Sequence, residues 1–254
     1  KWKYFPKSSN YIFNKIKFCL SSSKTSYHYL KKLGVKNLKY LGNLKFSQSE
    51  REKIMRFQRL EKAISNKKIW CASSTHYNEE KFCGLVHNKL KKKYKNLLTI
   101  IIPRHIERTQ SIKKELNKLN LNVDTHESKT KIKENIDVYI IDSYGKTKSV
   151  YNICKTVFLG GSLINHGGQN PLEATRYGCN ILHGPNIENF KEIYNYLGKL
   201  KISLKVNNYS QLSTKLISFL SKKNKSNLIQ NKLNKIGDKI LSDTYNEVYK
   251  FIQK

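Results

Sequence analysis

"GGSLINHGGQNPLEA", residues 160–174, sets two glycine pairs seven positions apart and then runs into Asn-Pro-Leu-Glu. It holds four of the chain's 12 glycines. An apolar run, "TVFL" (156–159), leads in, and the helix-compatible "PLEATRY" (171–177) leads out. The stretch reads as strand, glycine loop, helix start. Asn170 suits the N-cap, Pro171 the first helical position and Glu173 the third. Asn-x-x-Glu resembles a capping box, in which the glutamate returns to the cap's N–H. A cap leaves the glycines unexplained. Glycines ahead of a helix N-terminus let backbone N–H groups approach an anion, so a phosphate there is the second expectation.

Working outward, apolar runs and amphipathic stretches alternate along the whole chain. Strands are predicted at 16–20, 38–41, 68–72, 97–102, 121–124, 137–141, 156–160, 180–183 and 202–206. Helices are predicted at 25–33, 51–65, 78–93, 107–119, 146–153, 171–177, 188–197, 209–221 and about 225–252. Such alternation calls for an α/β fold, a parallel sheet flanked by helices on both faces. "LLTIII", "VYIID" and "TVFLG" are solidly apolar, as strands buried on both faces should be. The polar "KFSQSEREK" (45–53) marks the expected boundary. Residues 1–47 hold too few elements for a core and are expected to end a truncated preceding domain. Residues 48–254 are expected to form the main domain, with the long terminal helix.

A chain of 254 residues can bury a core without disulfides. Its five cysteines (19, 71, 83, 154 and 179) are odd in number and form no CxxC pair, which suggests neither a disulfide framework nor a zinc site. A reduced, cytoplasmic compartment fits that usage. No run approaches the ~20 apolar residues of a membrane span. The net charge of +31 first suggests nucleic acid. Yet all but six of the 49 basic residues are lysine, and asparagine, isoleucine and tyrosine, which share AT-rich codons, are plentiful too. No RNP-like, zinc-finger or helix-turn-helix signature accompanies the charge. No nucleic-acid partner is expected; an acidic partner of another kind stays open.

In open α/β sheets, ligands bind beyond the carboxyl ends of the strands. Besides the glycine stretch, "ASSTH" (72–76), "PRHIER" (103–108) and "DSYGK" (142–146) fall at such ends. Ser73, Ser74 and Thr75 could cap the helix from 78. Arg104, in a chain that otherwise uses lysine, could supply a planar fork for phosphate or carboxylate. His76 and His105 have no histidine at i+4 and no carboxylate cluster, so no metal is expected and they orient neighbours or pack. Asp142 could bind a hydroxyl or cap the next helix.

"GNLKF" (42–46), "ASSTHYNEE" (72–80), "PRHIER", "DSYGK", "FLGGSLINHGGQNPLEA" (158–174) and "GPNIENF" (184–190), in this order, resemble the 3-deoxy-D-manno-octulosonic acid (Kdo) transferases of lipopolysaccharide synthesis. The resemblance implies a two-domain GT-B glycosyltransferase. This chain would be mainly its C-terminal, Rossmann-like, CMP-Kdo-binding half (48–254), behind the end of the acceptor-side domain (1–47). Such enzymes transfer Kdo from CMP-Kdo to a lipid A precursor, inverting the anomeric centre without metal or cofactor. They work at the cytoplasmic face of the Gram-negative inner membrane, an anionic surface. The family's donor-binding positions fall on Pro103, Arg104, Tyr144, Gly145, Lys146, Asn170, Pro171, Leu172 and Glu173. Lys45 matches the lysine that stabilises the transition state; the general base, a glutamate, lies in the part of the N-terminal domain absent from this chain. Three places depart from the family pattern. Tyr144-Gly145-Lys146 replaces Met-Gly-Glu, which reverses a charge, Gln169 replaces a histidine, and "GPNIENF" replaces "GPHTFNF". The rival readings are a UDP-sugar transferase or epimerase of the same shape, and a basic nucleic-acid-binding module.

Overall fold

The structure, a computed structural model, describes residues 2–48, 60–61, 64, 66–128, 132–222 and 226–253. It divides into two compact units, Lys1–Glu50 with Asn231–Lys254, and Arg51–Gln230. The helix expected over 51–65 falls almost wholly outside the described residues.

In the larger unit, β3 (Lys68–Thr75), β4 (Leu97–Pro103), β5 (Val123–Thr125), β6 (Val138–Ile140), β7 (Thr156–Leu159), β8 (Asn180–His183) and β9 (Ser203–Lys205) form one sheet. Their order is β5-β6-β4-β3-β7-β8-β9 and every pairing is parallel. Because side chains alternate across a strand, each strand feeds two cores. Trp70, Ala72, Ile101, Phe158 and Leu182 face one way. There they meet helices α3 (Glu79–Lys91), α4 (Thr109–Asn117) and α8 (Tyr209–Leu220). Cys71, Ile100, Val157, Leu159 and Ile181 face the other way, towards α5 (Thr147–Ile153), α6 (Leu172–Arg176) and α7 (Lys191–Lys199). From β3 the chain passes to β4, then out to β5 at the sheet edge and back to β6 between β5 and β4, and it then crosses to β7 on the other side of β3. That reversal is the topological switch point of a doubly wound sheet.

The smaller unit holds α1 (Pro6–Phe13), α2 (Lys24–Lys32), the short parallel pair β1 (Cys19–Leu20) and β2 (Leu38–Lys39), and most of the 27-residue α9 (Ser226–Ile252). Phe18 stacks on Phe251 at 5.1 Å between ring centroids. Helix α1 was not expected: "PKSSNYIF" shows little apolar periodicity, and its entry depends on a proline in the first turn. The terminal helix, expected to belong to the main domain, is shared: its residues from Asn231 onward cluster with the first fifty.

One polar network inside the larger unit ties its helices to its sheet. Asp137, 2% exposed, accepts from the Asn122 amide at 2.9 Å and pairs with Lys91 and, at 3.4 Å, with His87. His87 Nδ1 in turn lies 2.9 Å from Thr99 Oγ1. Burial alone pushes the Asp137 carboxyl up, but the hydrogen bonds from His87, Lys91 and the Asn122 amide outweigh it and hold the carboxyl well below the usual range. A depressed carboxylate stabilises the fold above its unfolded pKa of about 3.9, and that stability is lost as pH falls through the folded value. Asp137→Asn should therefore cost about 3 kcal/mol at neutral pH, the scale of a broken buried pair. In urea melts, the gap between the two proteins should narrow as pH drops below about 4.

Candidate functional site

The loops that follow β6, β4, β3 and β7 stand side by side at the carboxyl edge of the sheet, in strand order. They carry residues 144–146, 103–105, 75–78 and 160–173 respectively. At the switch point between β3 and β7 sits Glu79, the first residue of α3, 1% exposed. Its carboxylate accepts from the backbone amides of Gly161 at 2.7 Å, Leu163 at 3.0 Å, Ser162 at 3.2 Å and His76 at 3.0 Å. This corrects the phosphate expectation for the first glycine pair. The anion that the Gly160-Gly161 loop receives belongs to the chain itself. Gly160 is required by close approach: a Cβ there would stand 2.4 Å from the Ser74 carbonyl oxygen and 2.8 Å from Glu79 Oε2.

The second pair serves a different contact. Gly168, at φ +77°, donates to the Gly161 carbonyl at 2.8 Å, closing the loop on itself. The "GPNIENF" segment locks it from outside: Asn189 donates from its backbone to Gly167 O at 3.1 Å and from its side chain to His166 O at 3.2 Å. Gly184 donates to Ser162 Oγ at 2.8 Å.

Helix α6 begins one residue later than expected, at Leu172, and Asn170 Oδ1 accepts from the Leu172 amide at 3.1 Å. Pro171, not Asn170, stands at the N-cap and no side chain caps the helix, so the Asn170 contact is a turn just ahead of the helix and the expected cap is corrected. Pro171 and Leu172 are buried, and Glu173 is half-buried on the exposed side of this five-residue helix. The serines and threonine of "ASSTH" are not caps. Strand β3 runs through Thr75; Ser73 Oγ lies 2.7 Å from the Tyr151 hydroxyl, and Asn78, at φ +72°, starts α3 without a side-chain cap. Asp142 caps no helix either; it accepts from the Glu127 amide at 2.9 Å.

Pro103 ends β4 buried, and Arg104 follows it exposed, its amide held by Thr75 O at 2.9 Å. Among the described residues its guanidinium has no hydrogen bond or ion pair. Arg108 differs: it grips the buried Glu80 bidentately at 3.0 and 3.1 Å, a structural fork. Tyr144 and Gly145 are exposed, with Gly145 at φ +75°, and Lys146 is half-buried. His76 lies against His166, 4.3 Å between centroids, with His105 at 5.9 Å. Burial, then the His166, His105, Arg104 and Arg108 charges, lower the His76 pKa to about 4, so it is neutral near pH 7. Its Nε2 is buried without a partner among the described residues. Arg104 and Lys146 thus stand on the rim beside a neutral imidazole. No group of three or more histidines, cysteines or acids that could hold a metal occurs among the described residues. Lys45 lies in the smaller unit, exposed on the 3-10 turn Leu44–Phe46, where Asn43 Oδ1 accepts from its amide at 3.0 Å.

Glu79 stands inside one of the sequence motifs, yet the sequence alone assigned it no role. Its signal was available: an acidic residue in the first turn of α3, in a segment paired by order with a glycine loop. Glu79→Gln tests the assignment. One amide oxygen replaces two carboxylate oxygens and an NH2 then faces N–H donors, so the variant should lose about 2–4 kcal/mol in urea unfolding.

No protein-family model matches the chain. Among curated proteins, it is 32% identical over 172 residues to the 3-deoxy-D-manno-octulosonic acid transferase of Haemophilus influenzae, covering 67% of this chain and 40% of that protein. The enzyme of the same name from Rickettsia conorii is 28% identical over 229 residues, covering 87% of this chain and 48% of that protein. The chain thus spans less than half the length of these relatives. Among solved structures, the C-terminal CMP-Kdo binding domain of WaaA from Acinetobacter baumannii superposes with a TM-score of 0.62 at 23% identity, over 70% of this chain and 97% of that domain. A glycosyltransferase from Rickettsia africae aligns over 98% of this chain and 68% of its own, with a TM-score of 0.52 at 17% identity. The doubly wound parallel sheet is that of a GT-B C-terminal domain. From ordered motifs, sheet and relatives together, the chain belongs to the 3-deoxy-D-manno-octulosonic acid transferase family, and it corresponds to the C-terminal part of its members.

Proposed function

We propose that the chain is the donor-binding half of an inverting glycosyltransferase that moves Kdo from CMP-Kdo to a lipid A precursor, at the cytoplasmic face of a Gram-negative inner membrane. One observation carries the reading. Four segments far apart in sequence converge on the switch-point rim, and the exposed, unpaired Arg104 stands among them. The names of the relatives support the donor; the acceptor and the membrane location come from the family resemblance.

As the glycosidic bond breaks, negative charge grows on the CMP phosphate. Preorganised cations aimed at that charge lower the barrier. With the Gly161–Leu163 amides already taken by Glu79, the cations on the larger unit are side chains, Arg104 aided by Lys146; the transition-state role of Lys45 comes from the family resemblance alone. The Tyr144-Gly145-Lys146 loop would meet the nucleotide through its backbone, with open space on the side of Gly145 where a Cβ would stand. Asn170, Pro171 and Leu172 shape the wall, and Glu173 accepts from ribose hydroxyls. The general base belongs to the other domain, so this chain alone should bind donor nucleotide and leave it unreacted.

Calorimetry checks the reading. CMP should bind, UDP more weakly, and EDTA should change neither. A preference for UDP would move the chain to the UDP-sugar reading. Arg104→Lys keeps the charge but loses the fork, and should weaken CMP by about 3- to 10-fold. Glu173→Gln should melt like the parent, since it keeps the size of a half-buried side chain and one acceptor oxygen. It should bind CMP about 3- to 30-fold less tightly, the difference between a charged and a neutral acceptor. Parent-like affinity in Glu173→Gln would reduce that residue to a local structural role.

A further inference from the structure

The opposite edge of the large sheet carries a feature that the donor rim does not use. At the amino ends of β3, β7, β8 and β9, a cavity of about 760 Å³ is lined by Lys67, Lys68, Lys155, Lys201, Lys215 and Lys222. Its remaining wall is mostly apolar, with Ile69, Leu204 and Phe219 among the residues that form it. No aspartate or glutamate lines it among the described residues.

Composition does not account for the cluster. Lysine is about one residue in six of this chain, so 14 lining positions would hold two or three; they hold six. Nor are the charges neutralised internally. Lys67 donates to the Glu134 carbonyl at 2.7 Å, Lys68 to Leu220 O at 3.3 Å, and Lys155 to Tyr177 O at 2.9 Å. Among the described residues, none of the six meets a carboxylate. Lys155 is half-buried, and burial lowers its pKa. Lys201 sits at φ +58°, a backbone conformation that favours glycine or asparagine, yet a lysine occupies it and lines the cavity. Six like charges around one apolar floor repel one another until an anion enters.

We propose that this cavity binds the phosphate head of an anionic lipid, with the lysines on the phosphate and the apolar floor under the first carbons of its chains. Basic pockets of this kind suit acidic head groups. The floor distinguishes a lipid from free phosphate. Nucleic acid is a poorer fit, because the wall offers Phe219 alone where single strands need successive stacking platforms. The proposal stands apart from the donor reading: no residue of the rim takes part.

The test is calorimetric titration of the 254-residue protein with dihexanoyl phosphatidic acid below its micellar concentration. Glycerol 3-phosphate and dihexanoyl phosphatidylcholine are the comparison ligands. Phosphatidic acid should bind, and each comparison ligand at least about tenfold more weakly. The double variant Lys201→Gln/Lys215→Gln should lose about 10- to 30-fold in affinity for phosphatidic acid. Lys114→Gln/Lys118→Gln removes the same charge from exposed positions on and just after α4, and should stay within about twofold of the parent. Parent-like melting of both doubles and unchanged CMP affinity report an intact fold. No binding of phosphatidic acid, equal loss in the two doubles, or glycerol 3-phosphate binding as tightly as the lipid would each overturn the proposal.

Discussion

The carboxylate of Glu79 fixes the geometry on which the whole rim depends. Four backbone amides from two separate segments converge on it, in a place closed to solvent. Buried N–H groups without partners are costly, so the glycine loop after β7 has one stable place, against the first turn of α3. That placement lets Gly168 reach Gly161 O, Ser162 reach the Gly184 amide, and Asn189 reach the loop from outside. The nest at the switch point, often a ligand's phosphate site, is thereby filled from within. An anion bound at this edge cannot use the Gly161–Leu163 amides, and this is why an exposed arginine at 104, unpaired among the described residues, matters more than the glycines beside it.

Much of this architecture was legible. The alternation of "LLTIII", "VYIID" and "TVFLG" with amphipathic stretches required a parallel sheet, because buried parallel strands cannot show a polar face. Each of those runs forms a central strand. The motifs' common rim was legible too, since it follows from strand direction alone. What could not be read was partner choice. The residues at 73–75 have the composition of a cap, but the pull of the β4 and β7 ladders keeps the strand going through Thr75. Arg108 and Arg104 are four residues apart and chemically identical; only the buried Glu80 separates a structural fork from a free one. Helix α1 was hidden for a different reason: it is short, and its apolar residues Tyr11, Ile12 and Phe13 are consecutive rather than spaced along one face.

The acidic residues show how an 18-acid, 49-base chain spends its scarce negative charge. Glu79, Glu80 and Asp137 are all buried in the larger unit. Each is encircled by donors: backbone amides for Glu79, a guanidinium for Glu80, and a lysine, a histidine and an amide for Asp137. Glu247 pairs with Lys39 at 2.5 Å in the smaller unit. Acids set in these places specify position, since a buried charge tolerates only the geometry that pairs it. The surface lysines carry no comparable constraint, so their number can follow composition while the acids cannot.

The cysteines give the chain a built-in chronometer. Cys71, Cys83, Cys154 and Cys179 are buried in the two cores of the large sheet, and burial pushes each thiol upward, Cys154 to about 12. Such thiols are poor nucleophiles until solvent reaches them. Cys19, on β1, is half-buried and lies outside both cores. An alkylating reagent added to the native protein would first mark that one sulfur and then wait on the rest. The rate at which the remaining four react would measure how often the doubly wound sheet opens, with no probe residue engineered in.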